Sequence, residues 1–331
     1  MIPFRVISLA QLTAVAAALA FNTPAPAASD ARDFPMKPVR VLVGSTPGGA
    51  ADTIVRTVTL ALTDLWGITA LVDNRAGAGG AIANETVARA TPDGYTLLHC
   101  TIGSHAIAPA LKKLTYDHIR DFAPISMIGS VPNVLVVHPS MPAKTMREFI
   151  AYAKANPGKV SFGTSGIGVS PHLSIELLKS MAGIDIVHVP YKGAAIALSD
   201  VMGGQIPAAS ATLPGAPLAA IRSGRLRALG VTSATRNKQA PDVPTFAEGG
   251  VPGFDVSSWH GFCAPAGLPK PILAKLNADM IKVLNSPQLR QRLEDQGFEV
   301  TPTSPEQFMA HIRSESVRWE KIIRSAGLKQ E

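Results

Sequence analysis

PVRVLVGSTPGGAADTIVRTVTLALTDLWG, Pro38 to Gly67, decides the fold. PVRVLVG is a short apolar run bounded by turn residues and reads as a buried strand. From Asp52 to Trp66 the apolar residues recur at helical spacing, so a helix follows the strand almost at once. Between them stands GSTPGGAAD, Gly44 to Asp52. Two readings of this loop are open. It is a plain turn, or it leaves backbone N–H groups unpaired at a helix N-terminus, where the dipole favours an anion.

Outward from that unit, strands and helices keep alternating. ITALVDN is a strand closed by NRAGAGG, AIANETVARA a helix closed by TPDG, and YTLLHC a third strand. ISMIGS and NVLVVHP follow as strand segments around Pro132, then the helix MREFIAYAKAN, the strand and Gly-rich turn KVSFGTSG, and the helix HLSIELLKSMAG. IDIVHVPYKG, AIALSDVMGG, QIPAASATL, PLAAIRSG and LRALGVTS repeat the pattern. An irregular strand, VSSWHGFCAP, then leads to three C-terminal helical stretches. Alternation of this kind predicts α/β architecture with mostly parallel sheets covered by helices. Two units of similar size, each opening with a strand and a Gly-rich loop, imply two lobes with crossings around Ser126–His138 and Ser257–Pro265. A ligand between such lobes sits at strand C-terminal ends, facing helix N-termini.

The chain has 331 residues, 46% hydrophobic and 17% charged, enough for two lobes with cores of their own. Arg5, the apolar stretch VISLAQLTAVAAALAF and Ala25-Pro26-Ala27 read as a secretory signal, with the mature chain starting at Ala28. An uncleaved anchor is the weaker reading, because the stretch is short and holds Gln11 and Thr13. No cysteine follows the signal to carry a lipid, so a soluble periplasmic product is expected. The formal charge is +7, and aromatic residues make up 5%. The basic residues are spread along the chain with no arm or stacking platform, so no nucleic-acid partner is expected. Cys100 and Cys263 are the only cysteines. In an oxidising compartment they pair, or they stay as two small buried thiols, and their spacing does not choose.

The ordered motifs resemble the Bug family, the extracytoplasmic solute receptors of tripartite tricarboxylate transporters. The resemblance is carried by KPVRVLV…PGG..D, DNRAGAGG, ARATPDGYTLL, HAIAPALKKLTYD…DFAPISMIG, PGKVSFGTSGIG, VHVPYKG, GRLRALGVTSATR, PDVPTFAEGGVPGFDVSSWHG and APAGLPKPILAKLN. It covers nearly all of the mature chain. It implies a two-lobed, periplasmic-binding-protein-like fold with the ligand cleft between lobes. It also implies a small organic carboxylate held mainly by main-chain N–H groups and water, and permease subunits as membrane partners. The expected organisation is a signal peptide over 1–27, lobe 1 over 28–130 and again over 258–331, and lobe 2 over 131–257. A monomer without cofactor or metal is expected.

The candidate ligand-binding residues fall on two loops. The first offers Ser45, Thr46, Gly48, Gly49, Ala50 and Asp52. The second offers Ser165, Gly166, Gly168, Val169, Ser170 and His172, with Lys192 on the lip beyond the next strand. Gly48 and Gly49 would permit close backbone approach to the ligand. Asp52 touches the ligand or serves the first helical turn. Arg75 pairs with an anion or fixes its own loop. His172 is a ligand contact or a packing residue, Lys192 a charged lip or a solvated surface group, and Trp259 either core or cleft. Trp66 and Trp319 read as core. The sequence departs from the family pattern at Gly44-Ser45-Thr46, where proline, an aromatic and proline are usual, at Ala50 and Ala51, where hydroxyls are usual, and at Val169, Pro171 and Ala211. Each change removes a polar handle and leaves main-chain donors in place.

Catalytic constellations are missing from the pattern. Neither Gly163-Thr164-Ser165-Gly166-Ile167 nor Gly168-Val169-Ser170-Pro171-His172 completes a nucleophile elbow. Gly77-Ala78-Gly79-Gly80-Ala81-Ile82 is not a dinucleotide fingerprint, and the eight histidines form no metal-binding pair by spacing. A binding protein is therefore expected. The alternatives are an exported enzyme acting on a small organic anion, or a receptor feeding a sensor.

Overall fold

A computed structural model describes residues 33–48, 50–77 and 80–325, and the signal assigned to 1–27 lies outside them. The opening unit forms as its pattern demands. β1 (Val39–Val43) is buried at four of five positions, and α1 (Ala50–Trp66) turns Ile54, Val55, Val58, Thr59 and Leu62 inward at helical spacing. β2 (Ala70–Asn74), α2 (Ala81–Ala88) and β3 (Thr96–Thr101) continue it, with β1 pairing in parallel to both β2 and β3. After β3 the chain makes a π-turn, Gly103–Ile107, and a short α3 (Ala108–Leu111), neither of which the sequence pattern marks.

β4 then runs unbroken from Phe122 to Val137. The sequence puts a break at Pro132, but the strand passes straight through it. The reason lies in the ladder. Pro132, facing Ser257, ends the pairing with β9 (Ser257–Pro265), and Asn133, facing Thr212, begins the pairing with β7 (Ala208–Thr212). A residue without an N–H therefore sits where the strand changes partners, and its carbonyl still accepts from the Leu213 N–H at 3.0 Å.

The second half contains α4 (Met146–Ala155), β5 (Ser161–Thr164), α5 (Ser170–Ala182), β6 (Val187–Pro190), α6 (Ala194–Met202), β7, α7 (Ala216–Arg222) and β8 (Arg227–Val231). The chain returns through β9 to α8 (Lys270–Leu284), α9 (Pro287–Asp295), β10 (Glu299–Val300) and α10 (Pro305–Ser325). The sheet order is β2-β1-β3-β9-β4-β7-β5-β6, with β8 and β10 also paired to β4. Parallel pairing holds on both flanks, and the strands that join the halves, β4 and β9, pair antiparallel. β9 pairs with β3 and β4, and just before it the Val256 N–H donates to the Thr232 carbonyl at 2.8 Å.

One large apolar core includes Phe149, Phe162, Trp259, Phe308 and Trp319. Trp319 is fully buried and its indole N–H donates to Glu315 at 3.1 Å. Trp66 is only half-buried, with its N–H on Asp279 at 2.7 Å. Among the described residues no helix is long and apolar enough to cross a membrane.

Candidate functional site

Strand direction creates the site. β1 and β3 run parallel, β3 is antiparallel to β9, and β9 is antiparallel to β4, so β1, β3 and β4 all point one way. β4 is antiparallel to β7, which is parallel to β5, and β5 is parallel to β6, so these three point back. The carboxyl ends of the two flanks therefore face each other across the middle of β4. The N-termini of α1 and α5 follow directly from those ends.

The first loop is fixed from within. Asp52, 2% exposed in the first turn of α1, accepts from the Gly48 N–H (2.9 Å), Arg56 Nε (2.9 Å) and Asn74 Nδ2 (2.9 Å). Asn74 also donates to the Ser45 carbonyl at 3.0 Å and accepts from Arg56 Nη2 at 3.0 Å. Burial by itself would raise the Asp52 pKa. The bonds from Arg56, the Gly48 amide and Asn74 outweigh it and hold the carboxyl below its usual range. Asp52 thus serves the loop and the helix end. Gly48 has φ 78, and a Cβ there would meet nothing within 4 Å, so glycine is required by backbone conformation and not by crowding. The crowded position is Gly44, where a Cβ would lie 2.7 Å from the Gly80 Cα. The Ser45 hydroxyl is buried without a partner among the described residues, while Thr46 is exposed. Ala50 opens α1, and Gly49 lies outside the described residues. Arg75 Nε bonds Asp73 Oδ1 at 3.1 Å, and its N–H donates to the Val43 carbonyl at 2.8 Å, so it ties its own loop to the end of β1.

The second loop, Ser165 to Val169, joins β5 to α5. Gly166 has φ 146 and Gly168 φ 75, both in the region that favours glycine. Ile167 between them is 74% exposed. A Cβ on Gly168 would lie 3.0 Å from Leu111 Cδ1, so this loop reaches α3 of the other half. Val169 occupies the N-cap of α5 without a side-chain cap. His172 is turned inward and buried, accepting the Gly168 N–H at 3.1 Å on Nδ1 and stacking on His188 at 3.9 Å. Its Nε2 lies 3.7 Å from Glu176, but Lys179 already neutralises that carboxylate at 3.0 Å. Burial, His188 and Lys179 together pull the imidazole down to about 3, so the contact is not ionic. His188 in turn bonds Thr164 Oγ1 at 2.7 Å, and that hydroxyl donates to the Gly166 carbonyl at 2.8 Å. His172 therefore shapes the loop from behind. Lys192 is exposed just past β6, whose last residue, Pro190, pairs with Thr164 at the end of β5.

The sequence reading passed over Asn133. It is fully buried in β4, at the point where the strand leaves β9. Its Nδ2 donates to Ser170 Oγ and Ser174 Oγ, both at 2.8 Å, and its N–H to Thr232 Oγ1 at 2.9 Å. The Ser170 hydroxyl is thereby engaged from inside, and one side chain joins the crossing strand to the first turn of α5. The signal in the sequence is an amide beside Pro132, followed by the apolar run Val134 to Val137. Trp259 is buried edge-on to Phe308 and His311, at 5.6 and 5.5 Å between ring centroids. Cys100 and Cys263 form a disulfide, Cα–Cα 6.1 Å, between β3 and β9.

Two oppositely directed half-sheets, each presenting a Gly-shaped loop and a helix N-terminus to the space between them, define the two-lobed α/β solute-binding class. The chain belongs to the tripartite tricarboxylate transporter receptor family, TctC, whose model matches residues 54–328. It is 36% identical over 307 residues to a protein encoded in the tcbD-tcbE intergenic region of a Pseudomonas species, covering 92% of this chain and 91% of that one. It is also 36% identical to BugT of Bordetella pertussis, covering 92% and 93%. Among solved structures, a protein of R. palustris with adipate superposes with TM-score 0.81 at 36% identity, over 89% of this chain and 98% of that one. The periplasmic binding protein BugD superposes at TM-score 0.79 and 33% identity, over 90% and 100%. MatC of Rhodopseudomonas palustris, with bound malate, does so at 0.77 and 34%, over 88% and 100%.

Proposed function

We propose that this chain is an exported, monomeric binding protein that captures a small organic carboxylate between two lobes and delivers it to the permease of a tripartite transporter. The observation that carries the reading is the reversal of strand direction along β4, which turns the ends of β1 and β5, and the helices after them, toward one cleft. The lobes divide near residues 130 and 257, the first contributing 28–130 and 258–331 and the second 131–257. Export follows from cleavage after Ala27, and protein sequencing of secreted material should begin at Ala28. The chain performs no turnover. Its ligand leaves the cleft chemically unchanged.

The ligand class follows from the few hydroxyls left to the cleft. Ser170 is engaged by Asn133, the Ser45 hydroxyl is buried, and Val169 and the exposed Ile167 are apolar. A polar di- or tricarboxylate would leave its distal groups short of partners, at about 1–3 kcal/mol for each unsatisfied group. A monocarboxylate with a larger apolar or aromatic body loses less and gains by burial. Calorimetry with benzoate-like, short-chain and tricarboxylic acids tests both levels of the proposal. Benzoate-like acids should bind more tightly than citrate or aspartate, with the acid recovered intact. Tight citrate binding with none of an aromatic acid would overturn the ligand class, and no carboxylate binding at all would overturn the receptor reading.

A further inference from the structure

The cleft uses neither cysteine, nor the histidine that stands over them. Cys100 and Cys263 are diagonal neighbours in the β3–β9 ladder, where Leu98 faces Cys263 and Cys100 faces Gly261. His105 reaches the same point from the π-turn after β3, and the ligand atoms of Cys100, His105 and Cys263 lie within 4.8 Å of one another, all three residues buried. The orientation of the imidazole is fixed by its neighbour. Ser104 Oγ lies 2.9 Å from His105 Nδ1 and 3.3 Å from the Thr101 carbonyl, so the imidazole is held at Nδ1. Its Nε2 is buried and has no hydrogen-bond partner among the described residues. A buried polar atom left unpaired is a standing cost. A ring held at Nδ1 by a hydroxyl, with Nε2 left without a hydrogen-bond partner, has the outer-shell arrangement of a metal-ligating histidine.

We propose that Cys100, Cys263 and His105 form a buried binding site for a thiophilic divalent cation of the zinc type in the reduced protein, and that the disulfide closes this site. Two thiolates and a neutral imidazole carry two negative charges, so a divalent ion alone leaves no net charge in a dry interior. Two cysteines and one histidine are a known three-residue zinc set. The chemistry balances. A dithiol supplies two electrons and two protons, its own sulfurs become a disulfide, and the Cys100–Cys263 bond becomes two thiols. The incoming cation then displaces both thiol protons to solvent. The sequence gives no hint of the site because two of its ligands stand 163 residues apart and meet only through the β3–β9 pairing.

The experiment uses the full chain, reduced with excess dithiol, freed of it without air, checked for native circular dichroism and titrated with Co(II) and Zn(II). The expected result is one ion per chain, a thiolate-to-cobalt charge-transfer absorption bleached by Zn(II), two protons released per ion, and none of this in the oxidised chain. Ser104→Ala, which removes none of the three ligands, should weaken Zn(II) roughly tenfold to a hundredfold by freeing the imidazole. Cys100→Ser should abolish the absorption. The proposal fails if the reduced folded chain takes up no metal, if it binds equally in urea, if reduction unfolds it, or if Ser104→Ala and His105→Gln bind as the parent does.

Discussion

At the scale of single residues, the first loop depends on Asp52 more than on its glycines' small size. Its three acceptor contacts are charge-assisted and part-buried, so Asp52→Asn should destabilise the chain by about 1.5–3 kcal/mol in urea unfolding. The same substitution should weaken ligand binding because Gly48 is released. The contribution of a carboxyl held below its ordinary pKa is present at neutral pH and is lost as pH falls through the folded value, so the two proteins should converge in acid. Gly48→Val must adopt φ 78, which costs about 1–2 kcal/mol before any ligand is added, whereas Ser45→Ala removes only an unpaired hydroxyl. If Gly48→Val keeps full stability and affinity, the left-handed backbone at Gly48 is not what the loop needs.

At the scale of elements, β4 and α5 are the pair to perturb. Asn133→Ala removes the donor to the hydroxyls of Ser170 and Ser174, the latter keeping its bond to the Ser170 carbonyl, and frees the first turn of α5 from the crossing strand. The expected loss is about 1–3 kcal/mol in stability, with a larger relative loss of ligand affinity than from a surface change such as Lys154→Ala. An Asn133→Ala protein of parental stability would mean that the amide does not hold the helix end. The β3–β9 disulfide closes a 163-residue loop, so its reduction in metal-free buffer should lower stability by roughly 3–5 kcal/mol. An unchanged urea midpoint would argue against that constraint.

For the whole molecule, five histidines are held neutral: burial pulls His105 and His172 down to about 3, His188 and His260 to about 4, and His99 well below 6.5. The unfolded chain gains protons below about pH 6.5 that the native chain refuses, so the penalty on folding is absent above that value and grows as pH falls toward the folded values. Each such group contributes up to about 1.4 kcal/mol per pH unit in that window. The urea midpoint should therefore drop steeply between pH 7 and pH 5, and a flat profile there would contradict the burial of these rings. Closure on ligand is the second test at this scale. Small-angle scattering should show a smaller radius of gyration with a saturating carboxylate than without it. No change, with binding confirmed by calorimetry, would remove the clamp.

Local pattern was enough for the opening strand and helix, for the alternation that follows and for the two Gly-rich loops, because burial on one face writes its period directly into PVRVLVG and into Asp52 to Trp66. It also carried the family, through motifs spread over nearly the whole mature chain. It did not carry what depends on partners distant in the chain. Pro132 looks like a strand break and is the point where β4 exchanges β9 for β7. Asp52 and His172 each read as a ligand contact or a structural group, and Asn74 and His188, brought in by packing, turn them to the loops. Cys100 and Cys263 are two isolated cysteines until the β3–β9 register sets them side by side beneath His105. Period and turn chemistry are local and legible in one dimension. The assignment of a polar side chain depends on which group satisfies it, and that group is chosen by the tertiary fold.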